Sequence, residues 1–186
     1  MADFVPNPEA IEEIENTLVA AGNADRNALD RINQLQENPD FFTYCSCILA
    51  KETRPDYSFA RSLAGYHLKN NINNPACTNN EIVQAHTMMT IGDEDKDVRK
   101  AAIAILCTAV LRGVWPPDVI HNLIDNLRED SEPVVTGSMV AISYLVEDLV
   151  EPLDHKGMTE PIINALIPYL GHGSQPVREA AVIAMS

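Results

Sequence analysis

Residues 59–74 read Phe-Ala-Arg-Ser-Leu-Ala-Gly-Tyr-His-Leu-Lys-Asn-Asn-Ile-Asn-Asn. Apolar residues recur here at spacings of three and four, which predicts a helix with one buried face: Ala60, Leu63, Ala64, Leu68 and Ile72. The opposite face is polar and nearly uncharged: Ser58, Ser62, Tyr66, Lys69, Asn70 and Asn73. A solvated helix face more often alternates Glu with Lys. This face is therefore either the exposed side of an ordinary amphipathic helix with an Asn-rich end, or a surface that binds a partner.

The composition allows a continuous core and restricts the class of partner. Of the 186 residues, 46% are hydrophobic but only 5% aromatic, which favours a core of close-packed Ala, Ile, Leu and Val. The net charge of −14 argues against binding to nucleic acid, which requires a basic surface. It also argues against docking on an anionic membrane. A partner recognised mainly by charge should be basic.

The cysteines give no sign of a metal site or a disulfide framework. Cys45, Cys47, Cys77 and Cys107 form no CxxC pair and have no His at zinc spacing, so reduced thiols are expected. The N-terminus lacks a basic region followed by an apolar run, and no apolar stretch approaches the length of a membrane span. These features predict a soluble intracellular protein.

The apolar periodicity, interrupted at Gly, Pro and Asn, predicts helices in pairs. The predicted helices cover residues 8–21, 25–37, 41–50, 59–74, 81–91, 98–111, 118–127, 133–150 and 161–170, with a last one after Ser174. Asp95, Ser131, Thr159 and Ser174 stand at helix starts as N-caps. Residues 51–56 are expected to form a turn, and a longer loop is expected around Pro152 and Gly157.

The helix pairs repeat along the chain. When the repeats are aligned, one equivalent position, which we call the Arg column, is occupied by Arg26, Arg61, Arg99, Val135 and Arg178, at spacings of 35, 38, 36 and 43 residues. A two-helix unit of this length with a Val-Arg start is the signature of HEAT repeats. The predicted fold is therefore an all-α solenoid, a right-handed superhelix of antiparallel helix pairs with about four and a half repeats. The approximate repeats are 8–38, 39–74, 78–112, 116–150 and 158–186.

The fourth repeat departs from the column. Val135 stands where the other repeats carry Arg, so a ladder of Arg and Asp side chains between repeats would lose a rung there. Gly137 lies beside it and suggests looser stacking at this point.

Catalysis is not expected from this sequence. The residues that follow the five histidines include no Glu, so the His-Glu dyads of metal-binding repeat enzymes are missing. His67 lies at the edge of the apolar face and is interpreted as a core histidine. The sequence contains no H-E-x-x-H, no G-x-S-x-G and no phosphate-binding glycine loop. It therefore predicts no catalytic residue, metal ligand or cofactor.

The order of these motifs resembles the N-terminus of the importin-β superfamily of nuclear transport receptors. The resemblance is strongest over residues 28–73 and most specific in the string Arg61-Ser-Leu-Ala-Gly-Tyr-His-Leu-Lys-Asn-Asn71. The double Asn, the string Trp115-Pro-Pro-Asp118 and the string Val146-Glu-Asp148 point to one branch of that family. Members are solenoids of roughly 20 repeats, so the resemblance implies that this chain, 1–186, is an N-terminal array from a longer receptor.

The resemblance also implies a partner. In the family, the second helix of each repeat lines the concave side, and the first repeats bind the GTP-bound small GTPase Ran there. The resemblance implies that four residues of this chain meet Ran's switch region: Tyr66, Lys69, Asn70 and Asn73. It also implies that two acidic residues of the fourth repeat, Glu147 and Asp148, meet basic residues of Ran. Protein cargo and nucleoporins would bind the full-length receptor, which would shuttle between cytoplasm and nucleus without contacting nucleic acid or membrane.

Two other functions remain open. A HEAT-repeat scaffold of the phosphatase-scaffold or adaptor type would share the fold without binding Ran. A repeat-protein enzyme is disfavoured by the missing His-Glu dyads. The Leu68-Lys69-Asn70 string in the second repeat separates the receptor from the scaffold, because a generic scaffold has no reason to keep it.

Overall fold

A computed structural model describes residues 4–50, 57–155 and 157–186 of the chain. This part of the chain is all-α, with ten α-helices, one 3-10 helix and no strand. The α-helices are α1 (Pro8–Gly22), α2 (Arg26–Leu35), α3 (Phe41–Ala50), α4 (Ser58–Asn71), α5 (Asn80–Thr90), α6 (Lys96–Leu111), α7 (Val119–Asn126), α8 (Glu132–His155), α9 (Thr159–Leu166) and α10 (Gln175–Ala184), and the 3-10 helix is Ile167–Gly171. The turn predicted at 51–56 lies outside the described residues.

Several helices begin at a side chain that accepts hydrogen bonds from the first turn. Asn7 accepts from the amide of Glu9 at 2.9 Å, and Asp25 accepts from the amide of Asn27 at 2.9 Å. The carboxylate of Asp95 accepts from two amides at the start of α6, at 2.8 and 3.1 Å. These bonds satisfy amides that have no partner within the helix. The predicted cap at Asp95 is thereby confirmed.

The fourth repeat ends differently from the prediction. A loop was expected around Pro152, but α8 continues to His155. The helix kinks instead at Leu149, whose φ is −121° and ψ 25°. Proline at 152 has no N–H to donate to the carbonyl four residues earlier, so the helix bends there without ending. Similarly, the helix predicted over 161–170 is an α-helix only to Leu166 and then tightens into the 3-10 helix that contains Pro168.

The helices form pairs that stack into an α-solenoid of about four and a half HEAT-type repeats. The pairs are α1 with α2, α3 with α4, α5 with α6, and α7 with α8; in the last repeat α10 packs against the 3-10 helix that continues α9. Along one side of the stack, α4 packs on α6, α6 on α8 and α8 on α10. Along the other side, α1 packs on α3 and α3 on α5. The core runs continuously between the two rows, and Leu49, Ala64, Val98, Ala102 and Ile142 are fully buried in it.

The junction between the third and fourth repeats is tight, so the looser stacking predicted at Gly137 is wrong. A Cβ added at Gly137 would overlap the carbonyl oxygen of Ile91 and lie 3.2 Å from Cδ of Arg99. A Cβ at Gly92 would overlap the side chain of Val134 in the same junction. Gly137, which has no side chain, therefore permits α8 to lie close to the preceding repeat.

The Arg column has two structural roles. Arg61 is buried, donates from Nε to the carbonyl of Leu49 at 2.9 Å, and pairs with Asp93. Arg99 instead donates to the carbonyl of Asp93. Arg178 likewise donates to carbonyls of the turn before its own helix, at 2.6 and 2.9 Å. Arg61 therefore joins two repeats, whereas the later arginines also fix the turns that precede their helices.

Candidate functional site

The second helices of three repeats present equivalent positions on one surface. Positions five, nine and twelve residues after the Arg column lie on the side of α4, α6 and α8 that faces away from the core, except that Asn73 stands in the turn just after α4. All nine residues are exposed or half-buried: Tyr66, Ala104 and Val140; Asn70, Thr108 and Tyr144; Asn73, Leu111 and Glu147. We call these nine positions the second-helix surface. Because α4, α6 and α8 pack side by side, this surface is continuous across three repeats.

The residues that the sequence assigned to partner binding on α4 lie on or beside this surface. Tyr66 is 42% exposed and Asn70 is exposed, so neither side chain is used by the core. Lys69 is half-buried because it faces the next helix. Asn73 is exposed, and its Oδ1 accepts a hydrogen bond from Nη1 of Arg112 at 3.0 Å. Asn73 is thus held in position by the following repeat.

The two acidic residues assigned on α8 are also exposed. Glu147 and Asp148 stand immediately before the kink at Leu149. The structure brings Asp148 and Lys69 together as lining residues of one groove, although they are far apart in sequence. Tyr66 and the other assigned residues lie outside its lining.

This groove runs over α6 between α4 and α8 and has a volume of about 560 Å³. We call it the α6 groove. Its charged lining consists of four cations and one carboxylate: Lys69, Lys96, Arg99, Lys100 and Asp148. Its apolar lining includes Ile103, Ala104, Leu111 and Val140, with Tyr144 on the α8 side. A concave site with an apolar floor and a few charged groups is the usual form of a binding site.

The sequence alone did not indicate Lys96, Lys100, Arg112 or Tyr144 as candidate residues. Tyr144 occupies the repeat position of Asn70, so counting from the Arg column would have found it. Lys96 and Lys100 lie one turn apart at the start of α6, where exposed charges are ordinary. Only the packing of α6 between α4 and α8 shows that they belong to a groove.

His67, which the sequence predicted to be a core histidine, packs in the core. Nε2 of His67 lies 2.9 Å from Nε2 of Gln36, and its ring packs edge-on against Phe41 at 5.4 Å between centroids. Burial lowers the pKa of His67, which favours the neutral ring. The prediction that this histidine is structural is confirmed.

The thiols are free and poorly reactive. Cys45, Cys77 and Cys107 are buried. Burial raises the pKa of Cys107 to about 12, with a smaller contribution from the carboxylate of Asp148. Across the three described segments, no group of three His, Cys, Asp or Glu side chains is placed to hold a metal ion. In those segments no helix has the length and apolar character required to span a bilayer.

Comparisons with known proteins show which family this chain resembles. The sequence pattern of the Importin-beta N-terminal domain matches residues 28–106, from α2 into α6. The chain is 25% identical over 191 positions to "Importin subunit beta-2" of Schizosaccharomyces pombe, covering 96% of this chain and 21% of that protein. It is 26% identical over 182 positions to "Transportin" of Dictyostelium discoideum, covering 91% of this chain and 19% of that protein. The chain thus spans about a fifth of the length of these curated relatives.

A solved structure supports the fold independently. A TOG domain of Zyg9 from C. elegans superimposes with a TM-score of 0.57 at 17% identity, covering 97% of this chain and 76% of that one. At this identity the likeness shows the solenoid fold alone. The resemblance to a family comes instead from the sequence matches: residues 28–106 match the pattern of the Importin-beta N-terminal domain, and this match confirms the predicted resemblance to the importin-β superfamily.

Proposed function

We propose that this chain is part of a nuclear transport receptor and that its second-helix surface binds the GTP-bound form of Ran. The relatives named Importin subunit beta-2 and Transportin support the receptor role. The observation that carries the assignment of the surface is the polar face of α4. Tyr66 and Asn70 on this face and Asn73 just after it are exposed, and all three lie within the residues that match the Importin-beta N-terminal domain.

The chemistry of this surface suits a protein partner. The amides of Asn70 and Asn73 each donate and accept hydrogen bonds, and Tyr66 adds a rigid aromatic contact. Lys69 offers one positive charge, whereas Glu147 and Asp148 offer negative charge two repeats away. A partner that spans these repeats would place acidic groups near α4 and basic groups near α8. Ran would fit this arrangement if its switch region contacts α4.

The proposed mechanism is linkage between two binding events. In the whole receptor, Ran-GTP and cargo would stabilise different curvatures of one flexible solenoid. Each partner would then weaken the affinity for the other by the same factor. Such a receptor would release cargo where Ran-GTP is abundant and would shuttle between cytoplasm and nucleus. This mechanism requires no catalytic residue or cofactor in the chain.

The double variant Lys69→Ala, Asn70→Ala tests the assigned surface. Neither side chain is fully buried, so helicity should stay unchanged while the affinity for Ran loaded with a GTP analogue falls by about tenfold or more. The matched control is Asn122→Ala, Arg128→Ala, which removes one amide and one cation from exposed positions on and just after α7. If the affinity of the first variant equals that of the unmodified chain, the assigned surface is wrong.

A further inference from the structure

The α6 groove is basic in a strongly acidic protein. The chain has 27 acidic and 13 basic residues, yet four of the 13 line this groove beside a single carboxylate, that of Asp148. The neighbouring groove between α8 and α10 has the opposite character, because Glu94, Glu132 and Glu179 line it with Arg99 as its one cation. Positive charge is therefore concentrated along α6.

Three of the four cations of the α6 groove lie at one end. Lys96 and Lys100 lie one helical turn apart near the start of α6, on the same face. Arg99 lies between them in sequence and is held in place by its hydrogen bond to the carbonyl of Asp93. Lys100 has a carboxylate neighbour in Asp97 at 3.5 Å, but both side chains are largely exposed, so this ion pair contributes little. The three cations remain available to an acidic ligand.

The other end of the groove carries exposed apolar and aromatic side chains beside Lys69 and Asp148. Leu111, the last residue of α6, is 43% exposed, and Tyr144 of α8 is 52% exposed. Both line the α6 groove. Large apolar side chains left exposed in a concave site are typical of positions that a partner covers. The groove thus offers three cations at one end and exposed apolar side chains at the other.

The length of the groove sets the length of its ligand. Lys96 and Leu111 are the first and last residues of α6, so at 1.5 Å per residue they lie about 22 Å apart along the helix. An extended peptide rises about 3.3 Å per residue, so about seven residues would cover this distance.

We propose that the α6 groove binds an extended acidic peptide segment of a partner protein, with carboxylates at Lys96, Arg99 and Lys100 and an apolar side chain against Leu111 and Tyr144. This proposal goes beyond Ran binding. The α6 groove overlaps the surface proposed for Ran, because Lys69, Tyr144 and Asp148 belong to its lining. Lys96 and Lys100 are not among the residues assigned to Ran, so peptide binding through them can be tested separately. The overall charge of −14 opposes an acidic ligand at long range. At physiological ionic strength, however, charges more than about 8 Å apart are largely screened, so the groove's own cations dominate locally.

Fluorescence anisotropy with labelled heptapeptides tests this proposal on the 186-residue chain. The probes are Glu-Asp-Glu-Ser-Ser-Leu-Phe, its reversed sequence, and the amide version Gln-Asn-Gln-Ser-Ser-Leu-Phe. At least one acidic peptide should bind saturably, and the amide version of the sequence should bind about tenfold more weakly. The variant Lys96→Glu, Lys100→Glu should also lose about tenfold in affinity. The control Arg26→Glu, Arg128→Glu makes the same change in net charge at exposed residues outside the groove and should bind normally.

Three results would overturn the proposal. They are no binding of either acidic peptide, equal binding by the Lys96→Glu, Lys100→Glu variant, and displacement of the peptide by a short DNA strand at equal charge concentration. The last result would reveal a general anion site that does not require a peptide. Ran binding measured on the same preparations separates this proposal from the proposed function, because either can fail while the other stands.

Discussion

Arg61 of α4 pairs with Asp93, which lies 32 residues later in the turn before α6. The guanidinium is almost fully buried and also donates to the carbonyl of Leu49 at the end of α3. The other oxygen of Asp93 accepts a hydrogen bond from the amide of Asp95 at 2.9 Å. One side chain therefore joins α3, α4 and the start of α6. The positions of α4 and α6 relative to one another, and so the second-helix surface, depend on this pair.

Replacing Arg61 with Met should strongly destabilise the chain. Removal of one partner from a buried ion pair leaves the other uncompensated, at a cost of about 3 kcal/mol or more. The free energy of unfolding from urea titration followed by circular dichroism measures this. Arg26→Met is the control, because Arg26 fills the same repeat column but is exposed, and it should change stability by about 0.5 kcal/mol or less. Equal effects of the two substitutions would show that the Arg61 pair does not stabilise the fold.

Gly137→Ala should destabilise the junction between the third and fourth repeats. The added methyl group would overlap the carbonyl oxygen of Ile91, and such overpacking costs about 1–3 kcal/mol. Gly171→Ala is the matched control, because a Cβ there would meet no atom within 4 Å. Thermal unfolding of both variants measures the difference. An unchanged midpoint for Gly137→Ala would contradict the tight junction.

The carboxylate of Asp95 should make stability depend on pH in the acid range. A hydrogen bond from the side chain of Ser58, and then the backbone amide of Val98, lower the pKa of Asp95. Because the pKa is lower in the folded state, this contribution is complete above the unfolded pKa of about 4 and is lost as the pH falls through the folded value. Asp95→Ala should lower the free energy of unfolding by about 1 kcal/mol near neutral pH, and it should weaken the fall of that free energy as the pH drops below about 4. Asp97→Ala, a substitution in the same turn, should leave this dependence of stability on acid pH unchanged.

Cys107 should react slowly with iodoacetamide in the folded chain. Its pKa of about 12 leaves almost no thiolate near neutral pH, and the thiolate is the reactive form. Mass spectrometry of peptides containing Cys107 gives the rate with and without urea. Unfolding should raise the rate by at least about tenfold, since a free cysteine has a pKa near 8.5. Equal rates in the two conditions would contradict burial of this thiol at the α6 groove.

The sequence was most informative where the same pattern of residues recurs in successive repeats. Apolar spacing and breaks at Gly and Pro predicted the paired helices, and the column containing Arg61 and Arg99 predicted their stacking. Pro152 was read as the end of a helix, whereas the structure shows a kink at Leu149 and a helix that continues. Sequence alone does not separate these outcomes, because both follow from the missing N–H of proline.

The candidate site was only partly predictable. Tyr66 and Asn70 were found because the polar face of α4 lacks the charges of an ordinary solvated face. The α6 groove was not predictable, because its lining comes from three helices and because a net charge of −14 favours basic partners over acidic ones. Gly137 was misread because the size of a residue does not show how close its neighbour lies.

The most direct test of the central claim compares binding of Ran loaded with a GTP analogue and Ran loaded with GDP. The chain and the longer receptor proposed to contain it should both be measured by calorimetry. The account predicts that the longer receptor prefers the GTP form by about tenfold or more, and that Lys69→Ala, Asn70→Ala reduces this preference. Equal affinity for the two forms, or no binding of either, would contradict the receptor assignment and favour a HEAT-repeat scaffold that binds another partner.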